Sequence, residues 1–147
     1  MQVRILPPLP SFGPYHYPVP RRCFNDYSYL LGLYLGDGYI NRSPRTYRLH
    51  VYRHRNDHVV IAKAARAIRT LRPGHPVGFR RKGAMVIVNA YSNDWPRLFP
   101  QHGPGRKQER VIVLDGWQRD IVERCPAEFA RGCLDSDGCR HRLHVGL

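Results

Sequence analysis

The chain is short of acids: 11 Asp and Glu stand against 24 Lys and Arg, a formal charge of +13 over 147 residues. Positive surface left unneutralised on that scale seeks a polyanion, and nucleic acid is the first expectation. An anionic membrane fits less well, because there is no Lys-rich amphipathic stretch with a wide apolar face. Long hydrophobic runs are also lacking. The longest, Tyr29 to Ile40, is broken by glycine and closed by an aspartate, too short to span a bilayer, so no membrane partner is expected. Cysteine is sparse and unpaired in pattern: Cys23, Cys125, Cys133 and Cys139 contain no CxxC, and no apolar signal segment precedes them. A reduced protein, cytoplasmic or nucleoid-associated rather than secreted, is the expectation. Cys133, Cys139, His141 and His144 match no common zinc spacing, so no zinc is expected.

What the chain does have begins with proline. Pro7, Pro8, Pro10, Pro14, Pro18 and Pro20 crowd the first residues with no apolar periodicity, which predicts a disordered or polyproline-like arm over 1–24. Then comes Tyr29 to Ile40, apolar on every face and ending on Asp37. A soluble helix of that kind must be covered on nearly all sides. Asn25 or Asp26 suits its N-cap, and Gly38 suits a left-handed C-terminal stop. The stretch has an echo, Phe129 to Gly138, which closes on Asp137. Gly32 and Gly36 fall on one helical face, and Gly132 and Ser136 repeat the spacing, so the two helices are expected to pack through these small residues. Such packing would bring Asp37 and Asp137 together at two helix C-termini. Each end already carries partial negative charge, so paired carboxylates there need a cation, and oxygen donors suit Mg²⁺.

Leu30 to Gly38 resembles the nine-residue LAGLIDADG motif of homing endonucleases, with Leu35 where the family often has an acid, and Ala130 to Gly138 resembles a second copy. The resemblance implies that Asp37 and Asp137 are catalytic, metal-holding acids, with backbone carbonyls of Gly36 and Ser136 beside them. It also implies a basic residue near the acids. Arg106-Lys107-Gln108-Glu109-Arg110 looks like the Lys-containing segment of intein endonucleases, which points to Lys107, with Arg106 placed near DNA.

Between the two motifs the pattern alternates twice. Tyr39 to Asn41 and Thr46 to His54 form one hairpin, with Tyr47, Leu49 and Val51 on one face and Arg48, His50, Tyr52 and His54 on the other. A helix follows from Asn56 or Asp57 to about Arg72, stopped by Pro73-Gly74, with Val60, Ala64, Ala67, Ile68 and Leu71 as its core stripe. Pro76 to Arg81 and Ala84 to Tyr91 make a second hairpin around Lys82-Gly83, its tip crowded by Arg80, Arg81 and Lys82. A short helix then carries Trp95 and Phe99 inward. Gln101 to Arg110 is a polar loop, Asp115 caps a helix to Arg124, and Pro126 suits the first turn of the second motif helix.

The expected fold is α+β: a helix-hairpin-helix-hairpin-helix repeat over 25–114 with a four-stranded antiparallel DNA-binding sheet, then a linker helix and second motif helix over 115–147. The family's two-motif members carry a second DNA-binding sheet after the second motif, and with about ten residues following Asp137 here no such sheet is expected. An inactive truncated remnant, a homodimer that supplies the second sheet, and a chain cut from a longer one all fit. The expected function is Mg²⁺-dependent hydrolysis of double-stranded DNA by a mobile-element endonuclease of intron or intein type. The alternative is a noncatalytic DNA-binding regulator or an RNA-binding intron maturase on the same fold.

Overall fold

The computed structural model of the chain describes residues 2–5, 16–103, 111–136 and 145–146. Its centre is helix α1 (Phe24–Asp37), whose residues from Tyr27 to Leu35 are all buried. A helix apolar all round is stable only when enclosed. Here helix α2 (His58–Leu71), helix α5 (Pro126–Asp135) and a β-sheet cover it from different sides. Burying Leu30, Leu31, Leu33 and Leu35 stabilises the fold by about 1.5–3 kcal/mol each relative to exposure.

Both ends of α1 depart from expectation. A 3₁₀ turn, Arg21–Cys23, runs straight into it, so neither Asn25 nor Asp26 caps it; Cys23 is the N-cap residue. Gly38 is not left-handed, since its φ of −92° and ψ of 156° are extended and it opens strand β2 (Gly38–Arg42) directly. Glycine is needed there for space. A Cβ on Gly38 would stand 2.3 Å from Cδ2 of Tyr34.

The main sheet is antiparallel in the order β2-β3-β5-β4, with β3 at Tyr47–His54, β4 at Val77–Lys82 and β5 at Met85–Tyr91. Register pairs Ile40 with Leu49 and Leu49 with Ala90, one inner row, and pairs Val51 with Val88, the next. Leu49, Val51, Val88 and Ala90 are buried against the helices. The β4–β5 hairpin turns at Gly83, whose φ of 60° is the left-handed conformation that glycine adopts without strain.

Helix α3 (Trp95–Leu98) drops Trp95 and then Phe99 into the core, where Phe99 stacks on Tyr34 with ring centroids 4.6 Å apart. Helix α4 (Gly116–Arg124) opens with a capping box: Asp115 accepts from the backbone of Gln118, and Gln118 reaches back to the Asp115 amide. Gln118 also donates to Gln101 and to the Tyr27 hydroxyl, and that hydroxyl donates to the Leu98 carbonyl. Each group in this buried cluster has a partner, which lets polar atoms sit beside α1 without a desolvation penalty. Pro126 opens α5 at its first turn, as its fixed φ and missing N–H allow.

A second sheet was not legible beforehand. Strand β1 (Gln2–Ile5) pairs in parallel with β6 (Val111–Leu114) on one side and with β7 (Val145–Gly146) on the other. In β6 Ile112 and Leu114 are buried while Val111 and Val113 are exposed, the alternation of a half-buried strand. The expected disordered arm over 1–24 is therefore corrected at both described ends. Gln2–Ile5 is a strand, and Val19 and Cys23 belong to the core, so the packed unit starts ahead of residue 25.

Candidate functional site

The contact between α1 and α5 sets the site, and small residues set the contact. A Cβ on Gly132 would lie 2.1 Å from the Tyr29 carbonyl oxygen; one on Gly32 would lie 2.6 Å from the Phe129 carbonyl and 2.8 Å from the Cys133 nitrogen. The helices thus meet backbone to backbone at Gly32 and Gly132, two of the four positions chosen from spacing. Ser136 is fully buried at the end of this contact, its Oγ without a hydrogen-bond partner among the described residues, and Gly36 lies one turn beyond Gly32, partly exposed. Farther down, the Tyr29 hydroxyl donates to Asp135 Oδ2 at 2.8 Å and ties the two helices together. Burial, then that hydrogen bond and the charge of Asp135, push the Tyr29 hydroxyl well above its ordinary pKa, so it stays a donor.

Asp37 is the last residue of α1, at its negative end, and its side chain is 13% exposed. The cation it draws is Arg53, whose Nη1 donates to Asp37 Oδ2 at 2.7 Å while Nη2 donates to Asp57 Oδ2 at 2.5 Å. Arg53 is only 5% exposed, whereas Asp57 is 40% exposed at the N-cap position of α2. Sequence reasoning missed Arg53. The signal was there, since alternation along β3 puts residue 53 on the same face as Tyr47, Leu49 and Val51, and an arginine closing an apolar face must find a carboxylate.

The opposite face of the sheet carries the polar row. Cross-strand partners share a face, so Tyr39 lies beside His50, Asn41 beside Arg48, and Arg48 beside Tyr91. His50 sits beside Asn89, and Tyr52 beside Ile87. His50 Nε2 lies 2.9 Å from Asn41 Oδ1, and its ring stacks on Tyr52. Burial first, then the charges of Arg48 and Arg80, hold the His50 pKa below its ordinary value, which keeps the ring neutral. Arg80 pairs with Ile87 and Lys82 with Met85, on this same face and exposed. Arg81 does not join them: its partner is Val86, so it points to the helix side, and the three-residue basic tip is divided between faces. His54 is exposed, its Nδ1 accepting from the Asn56 amide at 3.1 Å.

Asp37 thus meets Arg53 on the helix side of the sheet, the row Arg48, His50, Tyr52, His54, Arg80 and Lys82 lies on the opposite face, and the Gly32/Gly132 contact joins α1 to α5. Asp137, Lys107 and Arg106 lie outside the described residues, as do Cys139, His141 and His144. Among the described residues no three acidic, histidine or cysteine side chains cluster as metal ligands, and no helix is long and apolar enough to cross a membrane.

No protein-family model and no curated protein matches the sequence. Among solved structures, one of mesophilic variants from the homing endonuclease I-DmoI is 16% identical, with a TM-score of 0.49, covering 77% of this chain and 61% of its own. A structure of I-DmoI in complex with DNA and Ca is 14% identical with a TM-score of 0.44, covering 70% of this chain and 56% of its own. One with DNA and Mn is 13% identical with a TM-score of 0.44, covering 76% and 60%. The chain thus spans about three-fifths of the length of the structures it matches. Its own helix-hairpin-helix-hairpin-helix order, its four-stranded antiparallel sheet and the glycine-paired helices α1 and α5 make up the α+β architecture expected from the sequence.

Proposed function

We propose that this chain is the DNA-binding and half-site portion of a site-specific homing-type endonuclease acting on double-stranded DNA. The observation that carries this is the position of Asp37: a carboxylate at the end of α1, at the entrance to β2, on the rim of a sheet whose outer face is basic and aromatic. Arg48, His50, Tyr52 and His54 from β3, with Arg80 and Lys82 from β4, would meet the duplex, and Arg106, ahead of β6 in the sequence, would add a phosphate contact.

The Asp37 carboxylate suits a hard divalent cation chemically. It is an oxygen donor at a helix C-terminus, and the bond from Arg53 marks the demand for positive charge there. Asp37 and Asp137, with the carbonyls of Gly36 and Ser136, would hold the ion, Mg²⁺ being the proposed one. Bound there, a divalent cation supplies Lewis acidity and charge neutralisation for phosphodiester hydrolysis. The protein's own part is to orient: the α1–α5 contact holds the two motif helices at fixed separation, Arg53 aims the Asp37 carboxylate, and Lys107 would place positive charge near the scissile phosphate. A homodimer would provide a second four-stranded DNA-binding sheet.

One observation favours a second reading, a noncatalytic nucleic-acid binder of regulator or maturase type. Arg53 offsets the Asp37 charge from within the protein, so the carboxylate is accommodated without any ion. The two readings separate in one experiment. The intact chain is incubated with duplex carrying the uninterrupted insertion allele, with and without Mg²⁺, beside Asp37→Asn, while a gel-shift assay follows binding. Mg²⁺-dependent cleavage lost in Asp37→Asn with binding kept supports the endonuclease. Binding without cleavage leaves the binder, and preference for RNA over duplex DNA in competition selects the maturase form.

A further inference from the structure

The outer face of the sheet holds one cationic side chain unlike the rest. Arg80 and Lys82 are exposed on β4, an edge strand, where a flexible cation meets phosphates. Arg48 stands on β3, an inner strand, half-buried and fastened. Its Nε and Nη2 both donate to Asn89 Oδ1, at 3.2 and 2.9 Å, and its guanidinium lies 5.1 Å above the centre of the Tyr91 ring. Asn89 is 6% exposed and donates through Nδ2 to the Ile87 carbonyl, which sets the direction of its oxygen.

From this arrangement we infer that Arg48 reads a guanine in the major groove, and that Asn89 and Tyr91 position it to do so. The assignment rests on the DNA-binding role proposed above and specifies what that surface recognises. A guanidinium has five N–H donors; the Nε/Nη2 edge is spent on Asn89, which leaves the two-donor Nη1/Nη2 edge. That edge matches the paired O6 and N7 acceptors that only guanine shows in the major groove. The partner at 89 is an amide, not a carboxylate, so Arg48 is oriented without losing its charge. The Tyr91 ring beneath it and the two bonds to Asn89 restrain the guanidinium, so little rotamer entropy remains to be lost on binding. Outer-face residues along β3 recur about every 6.8 Å, or about two base steps of 3.4 Å. Arg48 therefore addresses one base pair while His50 and Tyr52 fall over others.

The test is selection of bound duplexes from a randomised library by the intact chain, followed by affinity measurements on single-pair variants of the selected site. Expected is one position with a guanine preference of about 10- to 100-fold. Arg48→Ala and Arg48→Lys should both level that position alone and leave every other preference in place. Asn89→Ala, which frees the guanidinium, should weaken the same position and no other. Thermal melts matched to the parent confirm that each variant folds. If Arg48→Ala instead lowers affinity for all sequences alike and reduces the salt slope by about one, Arg48 is a phosphate contact and the inference is overturned. A parent chain that selects a site whose preferences Arg48→Ala leaves untouched sinks the Arg48 assignment alone. A parent that selects no duplex sequence sinks both it and the DNA-binding role.

Discussion

Replacing Gly132 by alanine tests the helix contact most directly, because two physical effects predict opposite signs. Alanine is the better helix former by about 1 kcal/mol, so an α5 that leaned only loosely on α1 would gain stability. The structure predicts a loss. The new Cβ would sit 2.1 Å from the Tyr29 carbonyl oxygen and 3.0 Å from the Leu33 nitrogen, both backbone atoms that no rotamer change can clear. Reaching ordinary contact near 3.4 Å requires the helices to part by about 1.3 Å, the difference of the two distances. Overpacking of this kind costs about 1–3 kcal/mol, and the rigidity of the obstacle puts it at the upper end. Net of the propensity gain the loss is about 2 kcal/mol, a fall of about 4–8 °C in Tm for a chain of this size. Calorimetry or urea denaturation measures it, with Gly32→Ala and the double variant alongside. Because both glycines serve one contact, the double variant should lose less than the sum. A Gly132→Ala protein that melts at or above the parent would refute backbone-to-backbone packing.

Two further expectations concern the sheet. Arg53→Met removes the guanidinium bonded to Asp37 and should cost about 3 kcal/mol, the low end for breaking a buried pair because Asp57 is 40% exposed. In a double-mutant cycle Asp37→Asn should recover part of that loss, and a cost for Arg53→Met below about 0.5 kcal/mol would mean the pair is not formed in solution. His50 sets a pH dependence. Its folded pKa lies below the ordinary 6.5, chiefly through burial and then through Arg48 and Arg80, so the unfolded chain binds the proton more readily. The contribution is complete above the ordinary pKa and is lost as pH falls below it toward the folded value. Urea denaturation between pH 5 and pH 8 should show stability rising with pH, with a smaller rise in His50→Gln.

Much of the fold could be read in advance because its signals are local. Helix α2 follows from Ala64, Ala67, Ile68 and Leu71 on one stripe with Pro73-Gly74 behind it, and the hairpins follow from alternation and from Gly83. Asp115 and Pro126 open α4 and α5 as their side-chain chemistry predicts. The small-residue faces of the motif helices were legible for the same reason. Spacing alone puts Gly32 on one line with Gly36 and Gly132 on one line with Ser136, and only small residues there permit the approach that Gly32 and Gly132 make. What escaped depends on distant partners. Gln2–Ile5 looks like the start of a proline-rich arm because a strand that short carries no periodicity, and its identity comes from pairing with Val111–Leu114 far along the chain. Residue type alone makes Gly38 a left-handed stop, but its φ of −92° is extended. Its real constraint is the Tyr34 side chain one turn back.

The division runs through the candidate site itself. Residue order was enough to show that a buried helix ends on Asp37, that a matching helix follows, and that a strand nearby carries Arg48, His50, Tyr52 and His54 at alternate positions under a charge of +13. Periodicity and composition are properties of the chain in order, so they need no fold to be read. It took the folded chain to show that Arg53 seats its guanidinium on Asp37, that Arg81 turns away from Arg80 and Lys82, and that Asn89 and Tyr91 fasten Arg48. Those three facts depend on strand register. Pairing parity across β3, β4 and β5 chooses which face each side chain takes and which distant atom it meets, and a shift of one residue would reverse them all.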